Sequence, residues 1–529
     1  MTVPSENAHP LSAAKPMTWV GRSMFGAVVV GGLAYCLLHL SADVATSQAA
    51  VPWLLLLLAL FIALGFEFVN GFHDTANAVA TVIYTRSLPP HAAVIWSGLW
   101  NFLGVMSASG AVAWVSVSLL PVELIQQVNS SVGLAMVFAL LIAAIIWNVG
   151  TWLLGLPASS SHTLIGSIIG IGIANHLLAP AGSATTGVDW GKAGEIGFAL
   201  LTSPVLGFFA AAMLLIALKL VVRNQDLFNQ PATDRPPPTW IRAILIATCT
   251  AVSFAHGSND GQKGMGLIML ILVGVVPTAF ALNRTPDAAS LADFRSDAAA
   301  VVLVLDRYAD PGLEAVNPRD TLTEAVRVRE WSAETTAAAS LFVNDLRTRM
   351  GSYKSLASVP TSLVSNLRND LYIVGEAMKL ISKSKALVLT PDDVKIVRTF
   401  RDAVSHAISF IPIWVKVAVA LALGLGTLVG WRRIVVTVGE KIGKSHLTYG
   451  QGAAAELVAA TTIAAADGLG MPVSTTHVLS SGVAGTMAAM GSGLEASTIR
   501  NILLAWVLTL PASILLSGTL FIVLRALLS

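Results

Sequence analysis

The sequence predicts an all-α polytopic membrane protein of two inverted-topology repeats, with broken or re-entrant helices and about 10–12 membrane segments. Three observations lead there. The first is composition: of 529 residues, 55% are hydrophobic and 12% charged, with mean hydropathy +0.73, whereas a soluble globular chain carries about 25% charged residues. The second is a pair of polar motifs, each present twice in apolar surroundings. The third is the distribution of basic loops, which gives the two copies opposite orientations across a bilayer.

Residues 1–18 are polar and read as a disordered N-terminus. Lys15 and Arg22 then flank the apolar run Met24–Leu40. No small-x-small site ends that run, so 19–50 is read as an extra, uncleaved helix and its linker rather than a signal peptide. The first repeat spans 51–222. It opens with Pro52–Tyr84, interrupted by the motif N-G-F-H-D-T-A-N-A at Asn70–Ala78, and continues with His91–Val115, Gly133–Leu154, Leu164–Leu178 and Phe198–Val222. A cytoplasmic loop covers 223–240. The second repeat begins at 241–282, as Ile241–Phe254 and Met265–Leu282 on either side of H-G-S-N-D-G-Q-K-G at His256–Gly264. It resumes over 409–529 with Ile411–Val429, Gln451–Ala466, Val478–Met490 and Ile499–Leu524. Between the two parts, 283–408 carries about half of all charged residues and lacks a membrane-length apolar run; it is read as an inserted helical domain outside the membrane. Leu322–Leu346 and Pro360–Ser382 are its clearest helical stretches.

Basic residues set the orientation. Arg86, the stretch Arg223–Arg242, and Arg432, Arg433, Lys441 and Lys444 lie in three short loops, while Pro121–Ser131 and Ala179–Gly197 hold one basic residue, Lys192. With the first set in the cytoplasm, Pro52–Tyr84 runs inward and Ile241–Leu282 outward, and the inserted domain falls on the periplasmic side. The net charge of +2 gives no reason to invoke nucleic acid. Cys36 and Cys249 sit in apolar segments and read as small buried hydrophobes. There is no zinc spacing, Walker loop or Rossmann fingerprint. The chain is therefore not read as an enzyme, and the energy for moving a solute would come from an ion gradient or a partner ATPase.

The motifs carry the chemistry. Ionisable groups at membrane depth are costly, at least about 2.5 kcal/mol each, and mark function. The first pair places Asp74 with His73 and Asn77, and Asp260 with Asn259 and Lys263. The second pair is G-L-P-A-S-S-S-H-T at Gly155–Thr163 and G-M-P-V-S-T-T-H-V at Gly470–Val478. Its copies are 315 residues apart and the aspartates 186; the difference of 129 is close to the length of the inserted domain, as one insertion into a repeat requires. Proline is tolerated in a first helical turn. Ser159, Ser160 and Ser161, and Ser474, Thr475 and Thr476, thus fall at helix N-termini, where amides, the dipole and neutral hydroxyls suit an oxyanion such as phosphate or sulfate. Asp74 and Asp260 then call for a cation: a proton, Na⁺, or a divalent metal bound to the substrate. Lys263, where the first motif has Asn77, supplies a fixed ammonium that stands in for a coupling cation or meets the anion. Glu456, in an otherwise apolar helix, and His73 are further coupling candidates. The nearer rival reading is a transporter of another oxyanion, sulfate above all, since hydroxyls and helix dipoles do not choose between tetrahedral anions. The farther is an intramembrane Ser-His-Asp hydrolase, against which stand the duplicated hydroxyl motifs and the lack of a nucleophile-elbow G-x-S-x-G.

These four motifs, with A-V-A-T-V-I-Y-T-R at Ala78–Arg86 and G-W-R-R at Gly430–Arg433, resemble the signatures of the inorganic phosphate transporter (PiT) family, bacterial low-affinity members above all. The resemblance covers Pro52 to the C-terminus. It implies phosphate symport by alternating access in an inverted-repeat fold, with the protein dimeric and multi-pass in the bacterial inner membrane. Bacterial members are similar in being proton-coupled and in accepting a neutral complex of hydrogen phosphate with Mg²⁺ or another divalent metal, here held by Asp74 and Asp260; no enzymatic cofactor is implied. Carried over by motif, Asp74, Asn77, Asn259 and Asp260 are the core polar ligands, and the two hydroxyl triplets are the phosphate donors. The chain departs from the family pattern at Lys263, where many members repeat the asparagine, and at Asn101, which falls where sodium-coupled relatives carry a first-half glutamate. The departure at Lys263 favours protons over Na⁺; at the glutamate position the second half keeps Glu456.

Overall fold

The computed structural model describes residues 18–45, 51–120, 130–179, 187–232, 235–284, 288–310, 312, 317–384 and 386–528, with the side chains of 75–77 and 288–290 left aside. Residues 1–17 of the expected disordered terminus lie outside that set. Among the described residues the regular structure is helical, apart from an isolated bridge between Gly443 and Leu494. The helices of seven residues or more are α1 Trp19–Ala45, α2 Trp53–Tyr84, α3 Pro90–Ser107, α4 Ala111–Val117, α5 Ser131–Leu153, α6 Ser160–Leu177, α7 Trp190–Val221 and α8 Thr239–Val275. There follow α9 Ala288–Tyr308, α10 Pro318–Val328, α11 Ala333–Gly351, α12 Thr361–Lys383 and α13 Pro391–Ile408. The last four are α14 Ile413–Gly426, α15 Tyr449–Gly468, α16 Thr475–Met490 and α17 Ala496–Leu528.

Six of these helices, α1, α2, α5, α7, α8 and α17, are long and apolar enough to cross a membrane. Counting each bent pair, α3–α4 turned by 78° and α13–α14 turned by 76°, as one span gives up to eight. The larger count expected from sequence included α6, α15 and α16, of 18, 20 and 16 residues, which are at or below the length of a full crossing.

Both aspartate motifs were expected to interrupt their helices, and neither does. α2 runs unbroken through Asn70–Ala78 and α8 through His256–Gly264. Their glycines face neighbouring backbone: a Cβ on Gly71 would strike Leu423 O, and one on Gly257 would strike Asn101 O. Small residues let membrane helices approach closely, so these glycines serve packing rather than a break. The chain breaks instead at the two G-x-P turns, where Gly155 and Gly470 take φ +68° and +65°, a region that costs a side chain about 1–2 kcal/mol.

Packing exchanges partners between the halves. α6 lies along α17 and α16 along α7; α3 lies along α8 and α14 along α2; α5 also packs on α17 and α15 on α7. Corresponding glycines mark the contacts: Gly170 meets Ile514 O, and Gly485 meets Phe208 O. α1 touches the rest through α14, with Trp414 Nε1 donating to Asp43 Oδ2 at 2.9 Å.

Helices α9–α13 pack on one another as the inserted unit. The single stretch expected at Leu322–Leu346 is two helices, because Arg329 ends α10 in the left-handed region at φ +60°. Arg329 then pairs with Asp189 at 2.6 Å and Lys383 with Glu195 at 2.9 Å, tying the unit to the first turns of α7. The cysteines are free; Cys249 is buried and Cys36 half-buried.

Candidate functional site

The two hydroxyl triplets begin their helices in the same way. Ser159 and Ser474 are the N-caps of α6 and α16, accepting from His162 N and His477 N, each at 3.2 Å. Such a cap is worth about 1 kcal/mol. It engages these hydroxyls with their own helices; Ser159 Oγ also lies 2.9 Å from His162 Nδ1. The next two residues of each triplet, Ser160 and Ser161, and Thr475 and Thr476, turn toward the aspartates of α2 and α8.

Asp74 gathers partners from both halves. Thr476 Oγ1 donates to Oδ1 at 2.8 Å, Ser160 Oγ donates to Oδ2, and His73 Nδ1 lies 2.9 Å from Oδ1. Ser160 Oγ also lies 2.7 Å from Asn70 Oδ1, and His73 Nε2 lies 3.2 Å from Thr151 Oγ1. Asp260 is the counterpart. Lys263 Nζ lies 2.5 Å from its Oδ1, His256 Nε2 lies 3.2 Å from its Oδ2, and Thr475 donates to Oδ2 at 3.3 Å. The Lys263 ammonium donates to Ser161 Oγ, which donates to Val473 O at 2.9 Å. His73, Asp74, His256, Asp260 and Lys263 are all buried. One Asp74 oxygen, one Asp260 oxygen and a His256 nitrogen lie within 4.8 Å of one another. Two carboxylates and an imidazole at that spacing are hard and borderline donors of the kind divalent ions take.

Asp74, Asp260, Lys263, His73 and the inner hydroxyls therefore converge. Asn259 stands at the edge, its amide donating to Met471 O in the second G-x-P turn at 3.2 Å while its buried Oδ1 has no partner among the described residues. The Asn77 side chain lies outside the described residues. Glu456 shares none of these partners; it accepts from Thr248 at 2.5 Å and from Thr81. Sequence reasoning noted Asn70 and His256 within their motifs but did not assign them to the site. Spacing carried the missing signal: Asn70 is one turn before Asp74, and His256 one turn before Asp260, on the same helix face.

Carboxylates, hydroxyls and one ammonium, enclosed by membrane-length helices, define a membrane transport protein. A family model described as the phosphate transporter family matches residues 70–517. The chain belongs to that family. It is 42% identical over 485 residues to the low-affinity inorganic phosphate transporter PitB of Escherichia coli strain K12, covering 88% of this chain and 96% of that protein. It is likewise 42% identical over 487 residues to PitA of the same strain, with the same coverage. A solved structure titled the sodium-dependent phosphate transporter aligns at 20% identity and a TM-score of 0.49, over 89% of this chain and 99% of that one.

Proposed function

We propose that the chain imports inorganic phosphate by symport with protons, alternating access between two inverted repeats in a bacterial inner membrane, where it forms a homodimer. The observation that carries the reading is the meeting of two hydroxyl-bearing helix starts, from different halves, at Asp74, Asp260 and Lys263. Helix N-termini and hydroxyls supply neutral donors for an oxyanion. The hydroxyls of Ser160, Ser161, Thr475 and Thr476, with Asn77, Asn259 and Lys263, would bind it. The exchanged packing of α6 with α17 and α16 with α7 supports a pseudo-symmetric pair, and a site between repeats is where such carriers hold substrate.

Charge supplies the coupling. Two aspartates face one ammonium, and phosphate adds further negative charge. A buried excess of that sign is expensive unless cations arrive with the anion. A proton on Asp74 relieves it, and so does a divalent metal carried with the phosphate, for which Asp74, His256 and Asp260 are spaced. Lys263 fills the place of a second asparagine, so Na⁺ finds a fixed cation there. His73 orients the Asp74 carboxyl. Labelled-phosphate uptake into proteoliposomes tests the reading, with an inward proton gradient, with a sodium gradient, and with neither. Proton-driven accumulation strengthened by Mg²⁺ is expected. Accumulation driven by sodium alone overturns the coupling, and full competition by excess sulfate overturns the substrate.

A further inference from the structure

Glu67 is a buried acid that the phosphate geometry leaves unused. It lies on α2, one turn before Asn70 and two before Asp74, on the same face. Its side chain is fully enclosed. Oε2 receives one long bond, from Asn70 Nδ2 at 3.5 Å, and Oε1 has no partner among the described residues. An ionised carboxylate offers about four acceptor sites, so one long bond leaves its charge nearly unsolvated. The neighbour across the interface is Gly264 of α8, which follows Lys263 directly and Asp260 by one turn. A Cβ on Gly264 would collide with the Glu67 carboxyl, so the absence of a side chain there makes the room Glu67 occupies.

The charged groups acting on it are Asp260 and Lys263 of α8 and Asp74 of its own helix. α5 brings no charged or titratable side chain. Lys416 of α14 donates to Ala108 O at 2.7 Å, and Glu456 of α15 meets α2 at Thr81, two turns beyond Asp74. With every group ionised, three carboxylates would face one ammonium in a water-poor interior, an arrangement that a proton removes without any movement of the chain.

We infer that Glu67 is a further proton-binding residue of the transport cycle, beside Asp74: its carboxyl takes up a coupling proton on one side of the membrane and releases it on the other. The step is a simple association. A proton from the medium adds to a carboxylate oxygen, cancels one negative charge as phosphate arrives, and leaves from the same oxygen. This assignment rests on the symport reading above and goes beyond the aspartates named there.

The test uses the reconstituted full chain and Glu67→Gln, which keeps the shape of the protonated side chain and cannot ionise. Two quantities are read: exchange of labelled for unlabelled phosphate without a gradient, and accumulation driven by an inward proton gradient. Glu67→Gln is expected to retain exchange and lose accumulation. Accumulation equal to wild type overturns the assignment, and so does loss of exchange in a variant that is folded by its elution profile and melting. If Glu67→Gln does not fold, Glu67→Asp replaces it: accumulation with a displaced pH profile supports the assignment, and an unmoved profile overturns it. A wild-type protein that ignores the proton gradient takes down the symport reading itself, and this assignment with it, an outcome told apart by the wild-type arm alone.

Discussion

At the scale of single residues, the site is a set of compensated charges, and removing one exposes its partner. Asp260 and Lys263 are a buried pair at 2.5 Å. Breaking such a pair costs about 3–5 kcal/mol, because the remaining charge stays buried. Asp260→Asn is therefore expected to lower the melting temperature and abolish uptake. The double variant Asp260→Asn, Lys263→Gln should recover most of the stability without the uptake. A double variant no more stable than the single one would remove the pair from the energetics. Asp74 has a different environment, with two hydroxyl donors and His73 rather than a fixed cation. Asp74→Asn should leave melting close to wild type while uptake is lost, and normal uptake by this variant would exclude the residue from coupling. Asp74, Asp260 and the hydroxyl triplets were readable from sequence because hydrocarbon makes every polar residue conspicuous. Their cross-pairing was not, since the bonds from Thr476 to Asp74 and from Lys263 to Ser161 join residues hundreds of positions apart or in different halves. Glu67 stood in plain view as a gap in an apolar run, but its significance comes from Gly264, a contact that only the fold supplies.

At the scale of elements, caps and ties decide what each helix contributes. Asp189 does two things: it caps α7 by accepting from Lys192 N at 2.8 Å, and it holds Arg329 of the inserted unit at 2.6 Å. Asp189→Ala is expected to cost about 1 kcal/mol through the cap alone and to speed amide exchange at the start of α7 and the end of α10. Glu195→Ala removes the more exposed pair with Lys383, and such pairs are worth about 0–1 kcal/mol, so exchange there should barely change. Equal effects of the two variants would refute the double role of Asp189. The long spanning helices were legible through apolar runs of membrane length, and α6 and α16 through their G-x-P starts. The aspartate motifs misled because glycine and polar residues in an apolar run look like a break. In the fold they are a packing seam, with Gly71 and Gly257 against the backbones of α14 and α3.

At the scale of the whole molecule, each half leans on the other. A substitution that fills a glycine seam should therefore disturb both. Gly485→Ala, whose Cβ would meet Phe208 O, is expected to lower phosphate uptake and melting temperature together, whereas Gly468→Ala, with open space around it, should alter neither. Normal uptake and melting in Gly485→Ala would show that α16 and α7 can slide apart without cost. The exchange of partners also sets an order of events during synthesis. α6, with Ser159, Ser160 and Ser161, leaves the ribosome early, but the helix it lies along, α17, is made far later. The inserted unit emerges in between and lengthens the wait. Contacts between such distant segments form slowly, after the entropy of a long loop has been lost. The polar start of α6 must therefore be sheltered by other means until the C-terminus arrives, so a chain that stops before Ala496 would be a target for quality-control proteases rather than a slow carrier.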